Sequence, residues 1–365
     1  MQLARTLGVA QQGAATLSEC MLAASRIDPA DPNSWHREWT RLAQANRERA
    51  DAAQREGAPA TARANLLRAA AYWRASEQML GPLDPLRHAS FERGIECSRD
   101  WLRLASPAGE ALQIMAADGT VLDAYFLKPA GCSEQLPAVI CFGGLDAHKD
   151  EMLPRLWPQA SERGMALLLV DLPGQGETLR LRGTPNRADM EVPVTACVDE
   201  LLRRPEVDAG RIGLYGASLG GVYAARAAAS ERRLHALVSD SCIFDLQDQL
   251  RQRLAADGGQ GWDYLLWVFG CETPQQAIQK AAGLRMADFA SEIACPWLIV
   301  QGEHDFLGLK TARDAFEFAR AAGAAVEFKV FSGEETGAAH CQADNPTLGQ
   351  ELVWDWLKRK LEEGS

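Results

Sequence analysis

Arg211-Ile212-Gly213-Leu214-Tyr215-Gly216-Ala217-Ser218-Leu219-Gly220-Gly221-Val222 joins a short apolar run, a serine set among glycines, and a run of small residues reaching Ser230. Read with its flanks, G-x-S-x-G between a strand and a helix is the pattern of a nucleophile elbow. Glycines flank Ser218 because such a turn has no room for side chains, and a helix N-terminus favours developing negative charge. A Gly-rich turn carrying a passive serine would read the same way, so the partners decide.

A serine hydroxyl needs a base, and the base needs an orienting carboxylate, following the elbow in the order Ser, Asp or Glu, His. His235, His304 and His340 follow Ser218. His235 opens an apolar run and reads as structural, and His304 sits beside an acidic candidate rather than after it. His340 lies in Gly333-Glu334-Glu335-Thr336-Gly337-Ala338-Ala339-His340-Cys341, between the last strand pattern and the last helix pattern, and is the expected base. Asp305, in Gln301-Gly302-Glu303-His304-Asp305, and Asp240, in Ser239-Asp240-Ser241, both satisfy the order. Asp305 is favoured because it stands one strand before His340 in a G-E-x-D turn, which leaves Asp240 as a second polar group near the site or a helix cap. The oxyanion hole is expected from the amide of Leu219 and that of Gly144 or Leu145, in the glycine-paired loop Gly143-Gly144-Leu145-Asp146. His148 and Lys149 read as a solvated helix start. Asp171-Leu172-Pro173-Gly174-Gln175-Gly176-Glu177 reads as a Gly-rich turn without the Lys-Ser/Thr pair of a phosphate loop. No G-x-G-x-x-G, H-E-x-x-H or metal-ligand spacing occurs, so no cofactor and no metal are expected.

Around these motifs, apolar runs of strand type fall at Ala111–Ala116, Val121–Leu127, Ala138–Phe142, Met165–Val170, Ile212–Tyr215, Ala236–Ser239, Trp297–Gln301 and Ala325–Phe331. Asp118-Gly119 marks a hairpin between the first two. Helical patterns at about 151–163, 193–204, 219–230, 310–322 and 346–361 separate most of the others. Strand–helix alternation predicts an α/β fold with a mostly parallel sheet covered by helices on both faces. Residues 245–290, with Trp262, Tyr264 and Trp267, read as a helical insertion after the sixth strand.

Before residue 106 the texture differs: Ala, Arg, Glu and Gln dominate and β-branched residues are few, which favours helix. Helices are predicted over about 16–27, from Asp31-Pro32-Asn33-Ser34 to Gly57, over 60–80 and over 85–104, with Pro32 placed in a first turn. Trp35, Trp39, Leu42, Asn46, Ala50 and Ala53 share one face of the second. No pattern recurs at a fixed period, so residues 1–105 read as a small bundle and 106–365 as the catalytic domain. Trp35, Trp39, Tyr72, Trp262 and Trp267, with Asp240, are candidate pocket residues, although helical aromatics equally serve as core.

The chain has 365 residues, 47% of them hydrophobic, and a net charge of −11. That excludes a disordered chain and makes a poor partner for nucleic acid or anionic membranes. Nine cysteines, an odd number with no C-x-x-C spacing, argue for buried thiols in a reducing compartment rather than disulfides or zinc. Gln11 and Gln12 interrupt any leader-like apolar run at the start of the chain, so a cytoplasmic location is expected.

G-x-S-x-G, D-x-P-G-x-G, G-E-x-D and the late histidine together resemble the α/β-hydrolases. Asp31-Pro32-Asn33-Ser34-Trp35-His36-Arg37-Glu38-Trp39, Ala71-Tyr72-Trp73-Arg74-Ala75-Ser76-Glu77, Phe142-Gly143-Gly144-Leu145-Asp146 and Gly337-Ala338-Ala339-His340-Cys341 are similar to one subgroup. It comprises 2,6-dihydroxypseudooxynicotine hydrolase and the fungal yellowish-green-type hydrolases that shorten polyketides, and it borders the FrsA-like esterases and prolyl-oligopeptidase-like hydrolases. The resemblance covers nearly the whole chain. It implies a homodimer that hydrolyses a carbon–carbon bond beside a carbonyl of a small aromatic or polyketide-like molecule, under a lid formed partly by the N-terminal helices. In such enzymes an extra acidic residue assists the leaving group; Asp240 and Asp245 are the positions available here. The alternatives are an ester, lactone or thioester hydrolase using the same residues, and a non-catalytic binding protein on a hydrolase scaffold. A peptidase-like activity is a further alternative, less favoured because residues 1–105 fall short of a propeller domain.

Overall fold

The computed structural model describes residues 2–131, 134–145 and 147–363, so Asp146 and Cys132 lie outside the described residues. The chain divides into two compact units, one of residues 1–111 with 150–158 and the other of 112–149 with 159–365.

The first unit is helical: α1 (Gln2–Gly8), α2 (Leu17–Ala24), α3 (Ser34–Arg55), α4 (Pro59–Glu77) and α5 (Pro85–Leu104). Pro32 lies in the turn before α3 rather than in its first turn, and the helix begins at Ser34. Pro59 opens α4 at N1, where its missing N–H costs nothing. On α3, Trp39, Leu42, Asn46, Ala50 and Ala53 are buried as their spacing predicts, and only Trp35 stays partly open. Buried Asn46 donates to Glu19 and to the Leu42 carbonyl and accepts from Arg68. Residues 150–158 join this unit although they lie far along the chain. There Arg74, 5% exposed, bridges Glu77 at 2.5 Å and Glu151 at 3.0 Å.

In the second unit one eight-stranded sheet runs β1 (Glu110–Met115), β2 (Val121–Leu127), β3 (Leu136–Phe142), β4 (Ala166–Asp171), β5 (Val207–Ala217), β6 (Ala236–Asp240), β7 (Trp297–Gly302) and β8 (Val326–Phe331). Its order is β1-β2-β4-β3-β5-β6-β7-β8. β2 pairs antiparallel with β4, and every pairing from β4 through β8 is parallel. The connecting helices are α6 (Lys149–Glu162), α7 (Gly176–Arg180), α8 (Glu191–Leu202), α9 (Leu219–Ser230), α10 (Leu246–Asp257), α11 (Asp263–Phe269), α12 (Pro274–Lys280), α13 (Leu309–Ala321) and α14 (Pro346–Glu363). The sixth and seventh strands are therefore separated by the helices α10–α12, in the stretch read as an insertion.

Both sheet faces are covered, as strand periodicity requires. Leu214 packs in the core with residues of α8 and α9, whereas a side chain on neighbouring Gly213 would meet Leu357 and Leu361 of α14. Because β4 and β5 lie on opposite sides of β3, the strand order reverses there, and the carboxyl ends of strands at such a point are the usual place for ligands in such sheets.

Candidate active site

Every residue singled out around Ser218 sits at a carboxyl end of a parallel strand. Ser218 links β5 directly to α9 with φ 59° and ψ −126°, a conformation that strains an L-residue and projects its side chain from the turn. The elbow closes only because its flanks lack side chains: a Cβ on Gly216 would fall 2.0 Å from the Gly220 carbonyl oxygen. The Ser218 amide donates to the Asp240 carbonyl at 2.6 Å, tying the turn to the end of β6.

Asp305 follows β7 and His340 follows β8, and the structure brings both to Ser218. His340 Nε2 is 2.9 Å from Ser218 Oγ, and His340 Nδ1 is 2.9 Å from both Asp305 carboxylate oxygens. In the neutral imidazole these partners assign the roles, with Nδ1–H donating to Asp305 and Nε2 accepting from the serine hydroxyl. The Asp305 carboxylate is fully buried and also accepts the Leu307 amide at 2.9 Å. Burial works to lower the His340 pKa, but the Cys341 sulfur and the Asp305 carboxylate outweigh it and raise the pKa to about 10. The arrangement can withdraw the Ser218 proton and hold the resulting imidazolium.

Asp240 engages the strand and the loop that flank the triad. Its buried carboxylate accepts from the Tyr215 hydroxyl at 2.8 Å and from Gln342 Nε2 at 3.1 Å, bracing β5 and the His340 loop. Asp245 caps α10 by accepting the Asp248 amide.

The Gly143–Leu145 loop runs against the serine: a Cβ on Gly144 would lie 2.7 Å from Ser218 Cβ and 3.0 Å from its Oγ. Lys149, expected in solvent, is 1% exposed, and His148 is buried as well. The Lys149 ammonium holds Asp171 at 2.9 Å and Glu177 at 2.6 Å and lies over the Tyr125 ring, a pairing that compensates its burial. The Gly-rich turn after β4 is thus a buried anchor for this loop, which local composition does not reveal.

Of the candidate pocket aromatics, Trp39, Tyr72 and Trp262 are core side chains. Trp39 and Tyr72 are fully buried in the helical unit with rings 5.6 Å apart, and the Tyr72 hydroxyl donates to Glu19. Trp262, 1% exposed, donates to Asp257. Trp35 stays partly open while donating to the Ala75 carbonyl, and Trp267 packs edge-on against Tyr264. Sequence reading passed over Phe306, whose ring lies beside His340, and Gln175, whose carboxamide reaches the Gly143–Gly144 carbonyls.

A mostly parallel eight-stranded sheet with a serine elbow and a late histidine defines an α/β-hydrolase. The chain belongs to that superfamily: the family model described as "Prolyl oligopeptidase family" matches residues 157–364, and "Esterase FrsA-like" matches residues 31–252. It is therefore an enzyme, a hydrolase. The "Hydrolyase poxO" of Penicillium oxalicum is 29% identical, over 99% of this chain and 90% of its own. The "20-hydroxy-prefusarin hydrolase FUS2" of Gibberella moniliformis is 29% identical, over 83% of this chain and 81% of its own. The crystal structure of the 2,6-dihydroxy-pseudo-oxynicotine hydrolase is similar with a TM-score of 0.84 at 27% identity, covering 98% of this chain and 97% of that one. Among the described residues no helix is long and apolar enough to cross a membrane. The described cysteines carry free thiols, and all but Cys271 are buried.

Proposed function

We propose that this hydrolase cleaves a carbon–carbon bond next to a ketone, in a β-diketone, polyketide or acyl-aromatic substrate, through an acyl-enzyme on Ser218. The observation that carries the reading is the unbroken hydrogen-bonded chain from Asp305 through His340 to Ser218. His340 takes the hydroxyl proton as Ser218 Oγ bonds to the ketone carbon, and Asp305 stabilises the imidazolium. The oxyanion is held by the Leu219 amide and that of Gly144 or Leu145. Collapse breaks the carbon–carbon bond; the leaving carbanion, an enolate or an electron-rich ring carbon, receives the proton from His340. Water, deprotonated by His340, then releases the acyl group as a carboxylate and restores Ser218. Support for this bond type comes from the subgroup resemblance and from relatives named as hydrolases of 20-hydroxy-prefusarin and of 2,6-dihydroxy-pseudo-oxynicotine.

The second reading keeps the residues and changes the bond to an ester, favoured by the FrsA-like esterase match over residues 31–252. A turnover panel of β-diketones and acyl-phenols against simple esters separates them, and activity on esters alone would exclude the carbon–carbon assignment. Loss of both turnover and fluorophosphonate labelling in Ser218→Ala is expected; an unlabelled wild-type enzyme would point to a binding protein. We further propose a homodimer whose N-terminal helices govern substrate access, with light scattering on the purified chain as the test of its state.

A further inference from the structure

We propose that Gln175 is the positioning residue of the oxyanion hole, an inference that rests on the assignment of that hole above. Gln175 lies in the turn after β4 and is 3% exposed. Its Nε2 donates to the Gly143 carbonyl at 2.5 Å and the Gly144 carbonyl at 3.0 Å, while its Oε1 accepts the Leu172 amide at 3.1 Å. Two acceptors on one side and a donor on the other fix which way the carboxamide faces.

Peptide planarity carries the argument from these carbonyls to the amides. In a trans peptide the C=O of one residue and the N–H of the next point in opposite directions. Holding the Gly143 and Gly144 oxygens on Gln175 therefore aims the Gly144 and Leu145 amides away from Gln175. On another side of the loop, the Gly144 Cα faces Ser218, at the 2.7 Å close approach of its missing Cβ. The Gly143 oxygen also abuts the first turn of α9, where a Cβ on Gly220 would lie 2.3 Å from it. Further along, the Lys149 amide donates to Asp171 at 2.8 Å and the Lys149 ammonium to Asp171 and Glu177, so one turn grips the loop at two places. A Gly-Gly pair would otherwise rotate its peptides freely, since glycine carries the largest backbone freedom. Donors stabilise an oxyanion well only when they are fixed in advance.

The test compares Gln175→Met, of similar length with no donor, and Gln175→Leu, shorter and with no donor, with the wild-type full chain on its best panel substrate. Folding is monitored by circular dichroism and the unfolding midpoint. For both variants we expect kcat to fall about 100-fold with KM within about 3-fold, the scale of losing an aligned oxyanion donor. Affinity for a trifluoromethyl ketone, whose adduct with Ser218 bears an oxyanion, should fall in parallel, and the pH midpoint of kcat should stay put. A folded variant with wild-type kcat, or with unchanged trifluoromethyl ketone affinity, would overturn the proposal. Failure of the underlying assignment looks different: the wild-type enzyme itself would then lack Ser218-dependent turnover and fluorophosphonate labelling.

Discussion

The Phe306 ring lies beside the imidazole of His340, centroids 4.4 Å apart and planes tilted by 47°, with 63% of Phe306 exposed. An exposed aromatic against the proposed general base gives that imidazole one apolar wall and offers a face to whatever binds there. Phe306→Ala should raise KM for aromatic substrates several-fold, in keeping with about 1 kcal/mol for an aromatic contact, and change kcat far less. Steady-state kinetics on an aromatic and an aliphatic substrate would show it; equal effects on both would remove Phe306 from substrate recognition.

Two buried aspartates flank the serine, and they should respond differently. Asp305→Asn keeps the shape but takes away the carboxylate that orients His340, so kcat should drop about 10⁴-fold, the scale seen for such a change in serine proteases. Asp240→Asn disturbs the hydrogen bonds from Tyr215 and Gln342, and should cost about 1–3 kcal/mol of stability while turnover per folded molecule stays within about tenfold. Denaturant unfolding alongside kinetics separates the two, and the reverse pattern would make Asp240 the orienting acid.

The raised pKa of His340 gives activity an alkaline slope. Neutral imidazole is the competent base, so kcat/KM should climb with pH above the ordinary histidine value of 6.5 towards about 10. Cys341→Ala withdraws a leading cause of that shift and should move the rising limb to lower pH. Stability runs the opposite way: because the folded pKa lies above the unfolded one, the His340 contribution is complete below about 6.5 and is lost as pH rises towards 10. A limb already centred at 6.5 in the wild-type enzyme would contradict the arrangement.

Lys149→Met leaves the carboxylates of Asp171 and Glu177 buried without their ammonium, and should cost about 3–5 kcal/mol. Lys329→Met, which breaks a solvent-screened pair with Glu335, should cost far less. Urea unfolding of the two variants compares them directly; equal losses would mean that the buried cluster contributes little.

What the chain reveals by reading alone follows the range of the interactions. The elbow, the strands and the helices are local: Ser218 with its glycines, or the apolar run Val121–Leu127, needs no distant partner to be recognised. Chain order brought Asp305 and Asp240 forward together, the G-E-x-D turn favoured Asp305, and geometry separates them, since one faces His340 and the other Tyr215 and Gln342. Gln175 and Lys149 stayed hidden because their partners lie 22 to 32 residues away across a parallel crossover, and burial of a lysine depends on those partners. Trp39 and Tyr72 show the converse difficulty, because an aromatic at helical spacing reads alike whether it lines a cavity or fills a core.

Ser218 carries a further implication. Its backbone sits at φ 59° and ψ −126°, where a side chain is unwelcome and glycine is at ease. Strain of this kind costs about 1–3 kcal/mol and persists only because the surrounding structure imposes it. Ser218→Gly should therefore melt at a higher temperature than the working enzyme, while Ser218→Ala, which keeps the Cβ, should not. The molecule would be a sturdier object without the side chain proposed as its nucleophile.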